Sequence, residues 1–146
     1  MGGRILIIDD EEIVLRSCER ILAGMDYEIQ TCHDGLEGLS LLESEYFDLL
    51  ILDIKMPRMD GLEVLQRVKE SHPDIDVIMI TGLHEVEAAV KAMKLGAFDY
   101  LPKPFDPGEL QMAVKRVFER RELLQENIAL KGETARYHLD NIIGSS

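Results

Sequence analysis

Each of four predicted strands in the sequence is followed within two residues by a polar side chain that could take part in chemistry. These side chains are Asp9 and Asp10, Asp53, Thr81 and Lys103. The strands are indicated by short apolar runs bounded by turn residues, a pattern typical of strands buried on both faces of a sheet. In parallel α/β sheets, ligands bind outside the carboxyl ends of the strands. The sequence therefore predicts a functional site at that edge of a sheet.

Three carboxylates held close together repel one another, which raises their pKa values and lowers stability. A divalent cation relieves that repulsion, and hard oxygen ligands in an open cleft suit Mg²⁺. A metal ion, the Lys103 ammonium and the Thr81 hydroxyl would together neutralise the oxygens of a phosphoryl group in transfer. Asp53, which would lie in the middle of these groups, is the natural nucleophile. The grouping indicates phosphoryl transfer to an aspartate.

Each of these residues taken alone also has a simpler structural explanation. Asp53 could open a turn, because residues 56–61 are rich in turn formers. Thr81 could cap the helix that follows it, and Lys103 could be an ordinary solvated side chain. Tyr100, close to the same edge, could be a core aromatic. The functional interpretation is favoured because all of the members occur together in one chain.

The elements that must position these residues alternate between strand and helix five times. Strands are predicted at about residues 5–8, 27–32, 49–52, 77–80 and 98–101. Helices are predicted at about residues 11–24, 34–45, 61–71 and 85–95, and from residue 107 onward. The alternation predicts a doubly wound α/β fold of the flavodoxin type, with five parallel strands in the order 2-1-3-4-5. Strands 1, 3, 4 and 5 are then neighbours, so the polar side chains converge.

The helical spacing of apolar residues predicts which helix faces are buried. The helix at residues 11–24 would bury Ile13, Val14, Cys18, Ile21 and Leu22. The helix at residues 85–95 would bury Val86, Ala89, Val90 and Met93. The two cysteines, Cys18 and Cys32, match no zinc or redox motif, and we expect both to be small core residues.

The composition narrows the class of protein. The chain of 146 residues is 46% hydrophobic, enough for a sizeable core, and it carries a formal net charge of −12. Because phosphate backbones are bound by basic surfaces, this charge argues against direct nucleic-acid binding by these residues. The sequence shows no signal peptide and no apolar run that could span a bilayer, so we expect a cytoplasmic protein without membrane contact.

The motifs Asp9-Asp10, Asp53-Ile-Lys-Met-Pro, Thr81-Gly82 and Lys103-Pro104, in this order and at these separations, resemble the receiver domain of two-component response regulators. The resemblance covers about residues 4–120, and we assign the receiver to residues 1–120. It implies that Asp53 accepts a phosphoryl group from the phosphohistidine of a sensor histidine kinase. It also implies that the chain is a regulatory phosphoacceptor, with no enzyme activity beyond its own phosphorylation and dephosphorylation.

The resemblance implies a metal site as well. Asp10 and Asp53 would ligate Mg²⁺ together with the backbone carbonyl of Lys55. Asp9 would act on the ion partly through water.

The resemblance further implies how the phosphoryl group is held and sensed. Thr81 and Lys103 would contact the phosphoryl oxygens, and Tyr100 falls at the position of the family's switch aromatic. The bond between Lys103 and Pro104 is expected to be cis, which costs little for an X-Pro bond.

Two other functions remain as alternatives. A Mg²⁺-dependent phosphohydrolase of the haloacid-dehalogenase type also forms an aspartyl phosphate. It needs a second aspartate two positions after the nucleophile, where this sequence has Lys55. A degenerate receiver would serve only as a protein docking module, and the complete set of acidic residues, Thr81 and Lys103 argues against that function.

The apolar pattern after residue 107 continues beyond what a sheet of this size can cover. A helix over residues 107–131 would extend about 37 Å at 1.5 Å per residue. Leucines 123 and 130 and Tyr137 are seven residues apart, and Asn127 and Thr134 take the complementary heptad position. This spacing favours a short coiled-coil seam of a homodimer that contains Leu123, Asn127 and Leu130. The alternative is an amphipathic helix that folds back on its own domain.

The last residues carry a second resemblance. Residues 139–146 resemble the start of the AAA+ ATPase domain of sigma-54-dependent activators, the NtrC class, and residues 94–105 are similar to the same class. It implies that residues 121–146 form a linker helix and the start of that ATPase. The ATPase and DNA-binding portions would be absent from this chain, in which no Walker motif occurs.

Overall fold

The computed structural model describes the backbone of residues 2–145 and the side chains of residues 2–126. Strands and helices alternate throughout this part of the chain. The strands are β1 (Arg4–Ile8), β2 (Glu28–Cys32), β3 (Leu49–Asp53), β4 (Asp76–Thr81) and β5 (Asp99–Pro102). The helices are α1 (Glu12–Leu22), α2 (Gly35–Ser44), α3 (Gly61–Ser71), α4 (Val86–Lys94) and α5 (Pro107–Ser145). Most predicted bounds agree with these within two residues.

The strands form a single parallel sheet in the order β2-β1-β3-β4-β5. This order confirms the predicted flavodoxin-like, doubly wound α/β fold. The register pairs Ile8 with Leu52, Asp53 with Ile80 and Thr81 with Pro102. The carboxyl ends of β1, β3, β4 and β5 therefore lie side by side, which is the arrangement the candidate site requires.

The central strands are buried because their apolar runs lie between helices on both faces of the sheet. All residues of β3 and β4 are buried, as is β1 after Arg4. The helices beside them begin at capped positions. The Asp34 carboxylate accepts the Glu37 N–H at 2.8 Å, and Asp60 caps α3 in the same way at 3.0 Å. The predicted cap at Asp34 is confirmed.

The buried face predicted for α1 is partly wrong. The residues that α1 buries are Leu15, Cys18 and Leu22. Ile13, which we predicted to be buried, is 73% exposed. Helical spacing alone could not select the correct stripe, because apolar residues occupy most of this helix. Cys18 and Cys32 are both buried, as predicted, and burial raises the pKa of each thiol to about 12.

The face predicted for α4 is wrong at three of its four residues. Its buried residues are Ala89 and Ala92. The larger side chains of Val86, Val90 and Met93 are exposed. The alanines allow the helix backbone to approach the sheet closely, and the bulky stripe is therefore left on the outside.

The last helix, α5, continues without a break past Gly132 to Ser145. The chain divides into two compact units, Met1–Val114 and Lys115–Ser146. Within the second unit, Leu123 is 63% exposed. Asn127 and Leu130 lie outside the described side chains, so the dimer seam stays a prediction. Among the described residues no helix, α5 included, is both long and apolar enough to cross a membrane.

The amino end of the sheet holds charged residues around Arg4, and we call Arg4, Glu28, Glu45 and Asp48 the arginine cluster. The Arg4 guanidinium lies 3.0 Å from the Glu28 carboxylate and 2.7 Å from that of Glu45. The Arg4 N–H donates to an Asp48 carboxylate oxygen at 2.9 Å. The hydrogen bond to Glu45 is the main reason that the pKa of Arg4 is raised. The cluster ties β1 to β2 and to the segment before β3.

Candidate functional site

Asp53 is the last residue of β3, and the strand places its carboxylate at the carboxyl edge of the sheet. The side chain is 5% exposed. The Ile54 N–H donates to the Ile80 carbonyl oxygen at 3.0 Å, and the Gly61 N–H donates to the Ile54 carbonyl oxygen at 2.6 Å. A Cβ on Gly61 would overlap the Asp53 carbonyl oxygen. Glycine at this position therefore lets α3 begin directly against the backbone of Asp53.

Asp9, Asp10 and Asp53 form what we call the acidic cluster. Each offers a carboxylate oxygen, and these oxygens all lie within 4.8 Å of one another. Asp9 is fully buried, and its Oδ1 accepts the Glu11 N–H at 2.9 Å. Its Oδ2 is buried without a hydrogen-bond partner among the described residues. Asp10 is exposed, so the cluster opens to solvent at that member.

Lys103 brings a positive charge to the acidic cluster. Its Nζ lies 3.4 Å from Asp9 Oδ2 and 3.4 Å from Asp53 Oδ1. The backbone positions it, because the Lys103 N–H donates to the Thr81 carbonyl oxygen at 2.6 Å and the peptide bond to Pro104 is cis, as expected. Burial disfavours the charged ammonium, but the neighbouring carboxylates outweigh burial and raise the pKa of Lys103.

The electrostatics of the cluster disfavour a second buried negative charge. Burial, reinforced by the charge of Asp9 and opposed by Lys103, raises the pKa of Asp53 to about 7. Burial also raises the pKa of Asp9, although the Glu11 N–H and Lys103 partly offset it. One ammonium is thus insufficient to stabilise both carboxylates as anions. A further cation at the cluster would lower both pKa values.

The remaining predicted residues lie around this cluster at different depths. Thr81 ends β4 and is 2% exposed, and it is not the cap of α4, whose N-cap residue is Glu85. Tyr100, on the neighbouring strand β5, is 44% exposed. Lys55 follows Asp53 by two residues and its side chain is exposed. The structure brings Asp9, Asp10, Asp53 and Lys103 into one group, whereas the roles assigned to individual side chains stay predictions.

Sequence reasoning missed one side chain that touches this group. We interpreted Glu11 as a first-turn residue of α1, where acidic residues complement the helix dipole. The structure places its Oε1 3.3 Å from Lys103 Nζ. The only sequence signal was its position directly after Asp9 and Asp10, and the 92 residues that separate it from Lys103 conceal the contact.

The acidic cluster fits a hard divalent cation. Its three carboxylates supply the oxygen donors that Mg²⁺ prefers, and buried Asp9 Oδ2 is a donor atom without a hydrogen-bond partner in the described part of the chain. Asp9, Asp10 and Asp53 are the residues that would hold such an ion. When bound, Mg²⁺ would neutralise negative charge on the oxygens of a phosphoryl group.

Known proteins show the same fold and similar sequences. The chain is 40% identical to the DNA-binding transcriptional regulator NtrC of Escherichia coli strain K12 over 134 residues. That match covers 90% of this chain and 29% of the relative, so the chain spans less than a third of that protein. A crystal structure of NtrX from Brucella abortus superposes with a TM-score of 0.84 at 33% identity, and it covers 89% of this chain and 30% of that one.

A shorter solved structure is similar over nearly its whole length. The response regulator receiver domain protein from Clostridium thermocellum superposes with a TM-score of 0.79 at 35% identity, covering 84% of this chain and 98% of that one. The sequence profile of the response regulator receiver domain matches residues 5–115, which include the acidic cluster, Thr81 and Lys103. The chain belongs to the response regulator receiver domain family.

Proposed function

We propose that this chain is a phosphorylation-activated receiver that accepts a phosphoryl group on Asp53 from a sensor histidine kinase. The observation that supports the proposal best is the placement of Asp53, a nearly buried carboxylate with Lys103 Nζ at 3.4 Å and two further carboxylates beside it. A purely structural role would not explain why an aspartate with a pKa of about 7 is kept at the end of a core strand.

The chemistry follows from the charges around Asp53. Its carboxylate oxygen attacks phosphorus, and the bond from phosphorus to the donor breaks, so that the donor leaves with the electron pair. Lys103 neutralises charge on the transferred phosphoryl oxygens, and the hydroxyl of Thr81 donates a hydrogen bond to one of them. Asp9, Asp10 and Asp53, with the backbone carbonyl of Lys55, hold the Mg²⁺ ion that the reaction requires.

The intact mass of the chain after incubation with acetyl phosphate and Mg²⁺ tests this function. We expect wild type to gain one phosphoryl group and Asp53→Asn to gain none. Asp74→Asn is the matched control, because it makes the same change before β4, at the opposite end of the sheet. No phosphorylation of the wild type would instead favour a receiver that acts only as a docking module.

The metal assignment has its own test. Asp10→Asn removes a ligand charge from an oxygen site, so we expect weaker Mg²⁺ binding and slower phosphorylation. Asp53→Asn should weaken Mg²⁺ binding in the same way. Titration of Mg²⁺ by calorimetry measures both, and unchanged affinity in the two variants would contradict the assigned site.

The signal would leave the site through Thr81 and Tyr100. Phosphorylated Asp53 draws the Thr81 hydroxyl inward, and Tyr100, now 44% exposed, turns into the space that is vacated. A covalent phosphate biases such an equilibrium only through contacts that differ between the two states. A shift from mostly off to mostly on takes roughly 5.5 kcal/mol, which is plausible for charge-assisted contacts from Thr81 and Lys103 in a shielded site.

The output fits the class of NtrC and NtrX, to which the chain is similar. In this proposal the chain forms a homodimer through Leu123, Asn127 and Leu130. The dimer restrains an attached AAA+ ATPase of a sigma-54-dependent activator, and phosphorylation repacks the receivers and regulates oligomerisation of the ATPase.

Sedimentation with and without beryllofluoride, a stable mimic of the phosphoryl group, tests this output. We expect a dimer whose association changes when beryllofluoride binds, and which Leu123→Asp with Leu130→Asp disrupts. A monomer in both states, or a dimer untouched by the two substitutions, would contradict the seam.

A further inference from the structure

The ammonium of Lys103 has three carboxylate partners, which differ in their exposure. Asp9 and Asp53, each 3.4 Å away, are 0% and 5% exposed in their side chains. Lys103 itself is 24% exposed, and Glu11, at 3.3 Å, is 58% exposed. The contacts therefore lead from the interior to the solvent, and Glu11 is the outermost group that Lys103 touches.

The position of Glu11 is not explained by the needs of α1. Glu11 is the N-cap residue of α1, yet its side chain makes no capping hydrogen bond. Its N–H is already bonded to Asp9 Oδ1, and Glu12 supplies the acidic residue of the first turn. The carboxylate of Glu11 is thus free of a local duty in the helix, and its contact is with the lysine of the site.

A phosphoryl group that arrives at Asp53 needs the same ammonium. Its oxygens compete with Glu11 for Lys103 Nζ, and the Glu11 charge repels any anionic donor that approaches from solvent. Lys103 also lines an open groove of about 630 Å³ between α1 and the segments that follow β4 and β5. The lysine is therefore reached from the side on which Glu11 lies.

We propose that Glu11 is a positioning residue that holds Lys103 toward solvent in the resting site and so slows the phosphorylation of Asp53. The proposal rests on the proposed function, since it concerns transfer to Asp53. In that transfer an Asp53 oxygen bonds to the phosphorus of acetyl phosphate while the bond from phosphorus to the acetate oxygen breaks. Acetate leaves with the electron pair, and Lys103 turns from Glu11 to the phosphoryl oxygens.

The test compares Glu11→Gln with Glu12→Gln. Both variants remove one negative charge, but Glu12 is paired with Arg16 and His33 and makes no contact with Lys103 in the described structure. With acetyl phosphate and Mg²⁺ we expect Glu11→Gln to be phosphorylated about three- to tenfold faster than wild type and to bind beryllofluoride correspondingly more tightly. Glu12→Gln should stay within about twofold of wild type.

The salt dependence separates this effect from a structural one. A partly exposed charge is screened by salt, so the advantage of Glu11→Gln should shrink between about 0.05 M and 0.5 M salt. Glu11→Ser, which supplies a good N-cap, should behave like Glu11→Gln and excludes a weakened α1 as the cause.

The outcomes distinguish the two proposals. If wild type gains no phosphoryl group, the proposed function fails. If wild type is phosphorylated but Glu11→Gln matches wild type, is slower, or matches an equal gain in Glu12→Gln, the function stands and the role of Glu11 is overturned.

Discussion

At the amino end of the sheet one cation, Arg4, is surrounded by three carboxylates, and at the carboxyl end one cation, Lys103, also contacts three. The difference lies in burial. Glu28 and Glu45 of the arginine cluster are 79% and 36% exposed in their side chains. At the other end, Asp9 and Asp53 are 0% and 5% exposed.

The same set of charges therefore has opposite consequences at the two ends. Solvent and hydrogen bonds satisfy the carboxylates around Arg4, so the charged state of this cluster supports the fold. Around Lys103, burial raises the pKa of Asp53 to about 7, so the charged state is disfavoured. The comparison teaches that burial, rather than the number of charges, separates a stabilising cluster from a site that awaits a cation and a phosphoryl group.

The largest effect should come from Arg4→Met, which keeps an apolar chain beside the Phe47 ring. The variant loses the ion pairs with Glu28 and Glu45, and we expect a loss of about 2–3 kcal/mol in the free energy of unfolding. Denaturant titration measures the loss. The rate of phosphorylation by acetyl phosphate should stay within about twofold of wild type, since the cluster lies at the other end of the sheet.

Arg67→Met is the control for that variant. Arg67 makes an exposed ion pair with Glu63 one helical turn away, which is worth less than about 0.5 kcal/mol. If Arg67→Met and Arg4→Met were equally destabilised, the arginine cluster would have no special role in stability.

Asp9→Asn should have the opposite sign. Without Mg²⁺ at pH 8 it removes a buried charge whose Oδ2 has no hydrogen-bond partner in the described structure, so we expect stability to rise by about 1–2 kcal/mol. Phosphorylation should become slower. A destabilisation as large as that of Arg4→Met would show that the two ends are alike after all.

The pH dependence of stability sharpens the contrast. The pKa of Asp53 is raised to about 7 from an ordinary value of 3.8, so between these values the folded state keeps a proton that the unfolded state has lost. Stability from this group is therefore greatest at low pH and falls as pH rises toward 7, by up to about 1.4 kcal/mol per pH unit. Thermal melting in a chelator between pH 5 and 8 should show this decline.

Two comparisons assign that decline to Asp53. His33, whose pKa is raised by its hydrogen bond to Glu12, contributes a fall of the same sign, so only the difference between wild type and Asp53→Asn is diagnostic. Asp53→Asn should have the flatter curve, and Mg²⁺ should flatten the curve of wild type. Identical slopes in wild type and Asp53→Asn would contradict the raised pKa.

The smallest effect concerns the backbone that follows Asp53. Arg58 has a φ of 73°, a left-handed conformation that a side chain disfavours. Arg58→Gly should stabilise the chain by about 0.5–1 kcal/mol, whereas Arg58→Ala keeps the Cβ and should not. Equal stability of the two variants would mean that the carboxyl end stores no strain at this position.

The fold could be predicted from the sequence because its central strands are unbroken apolar runs. The helix faces could be predicted less well. Along α4 the bulky stripe of Val86, Val90 and Met93 looks like a core face, but Ala89 and Ala92 pack inward. Hydrophobicity ranks valine above alanine, whereas close packing against a sheet favours the smaller side chain.

The candidate site divides in the same way. The grouping of Asp9, Asp53 and Lys103 follows from strand order, since each lies at or just beyond a strand end. The contact between Glu11 and Lys103 depends on the direction of two flexible side chains from distant segments. No spacing in the sequence encodes such a contact, and it emerges only from three-dimensional geometry.

The missing side chain of Gly61 has a consequence for how variant libraries of this protein would be interpreted. Any larger residue at this position would force the start of α3 away from the carbonyl of Asp53. In a saturation screen scored by phosphorylation, Gly61 would then tolerate no substitution and would rank beside Asp53. An observer who mapped intolerance onto function would count it among the reacting groups, although it contributes only the absence of one carbon atom.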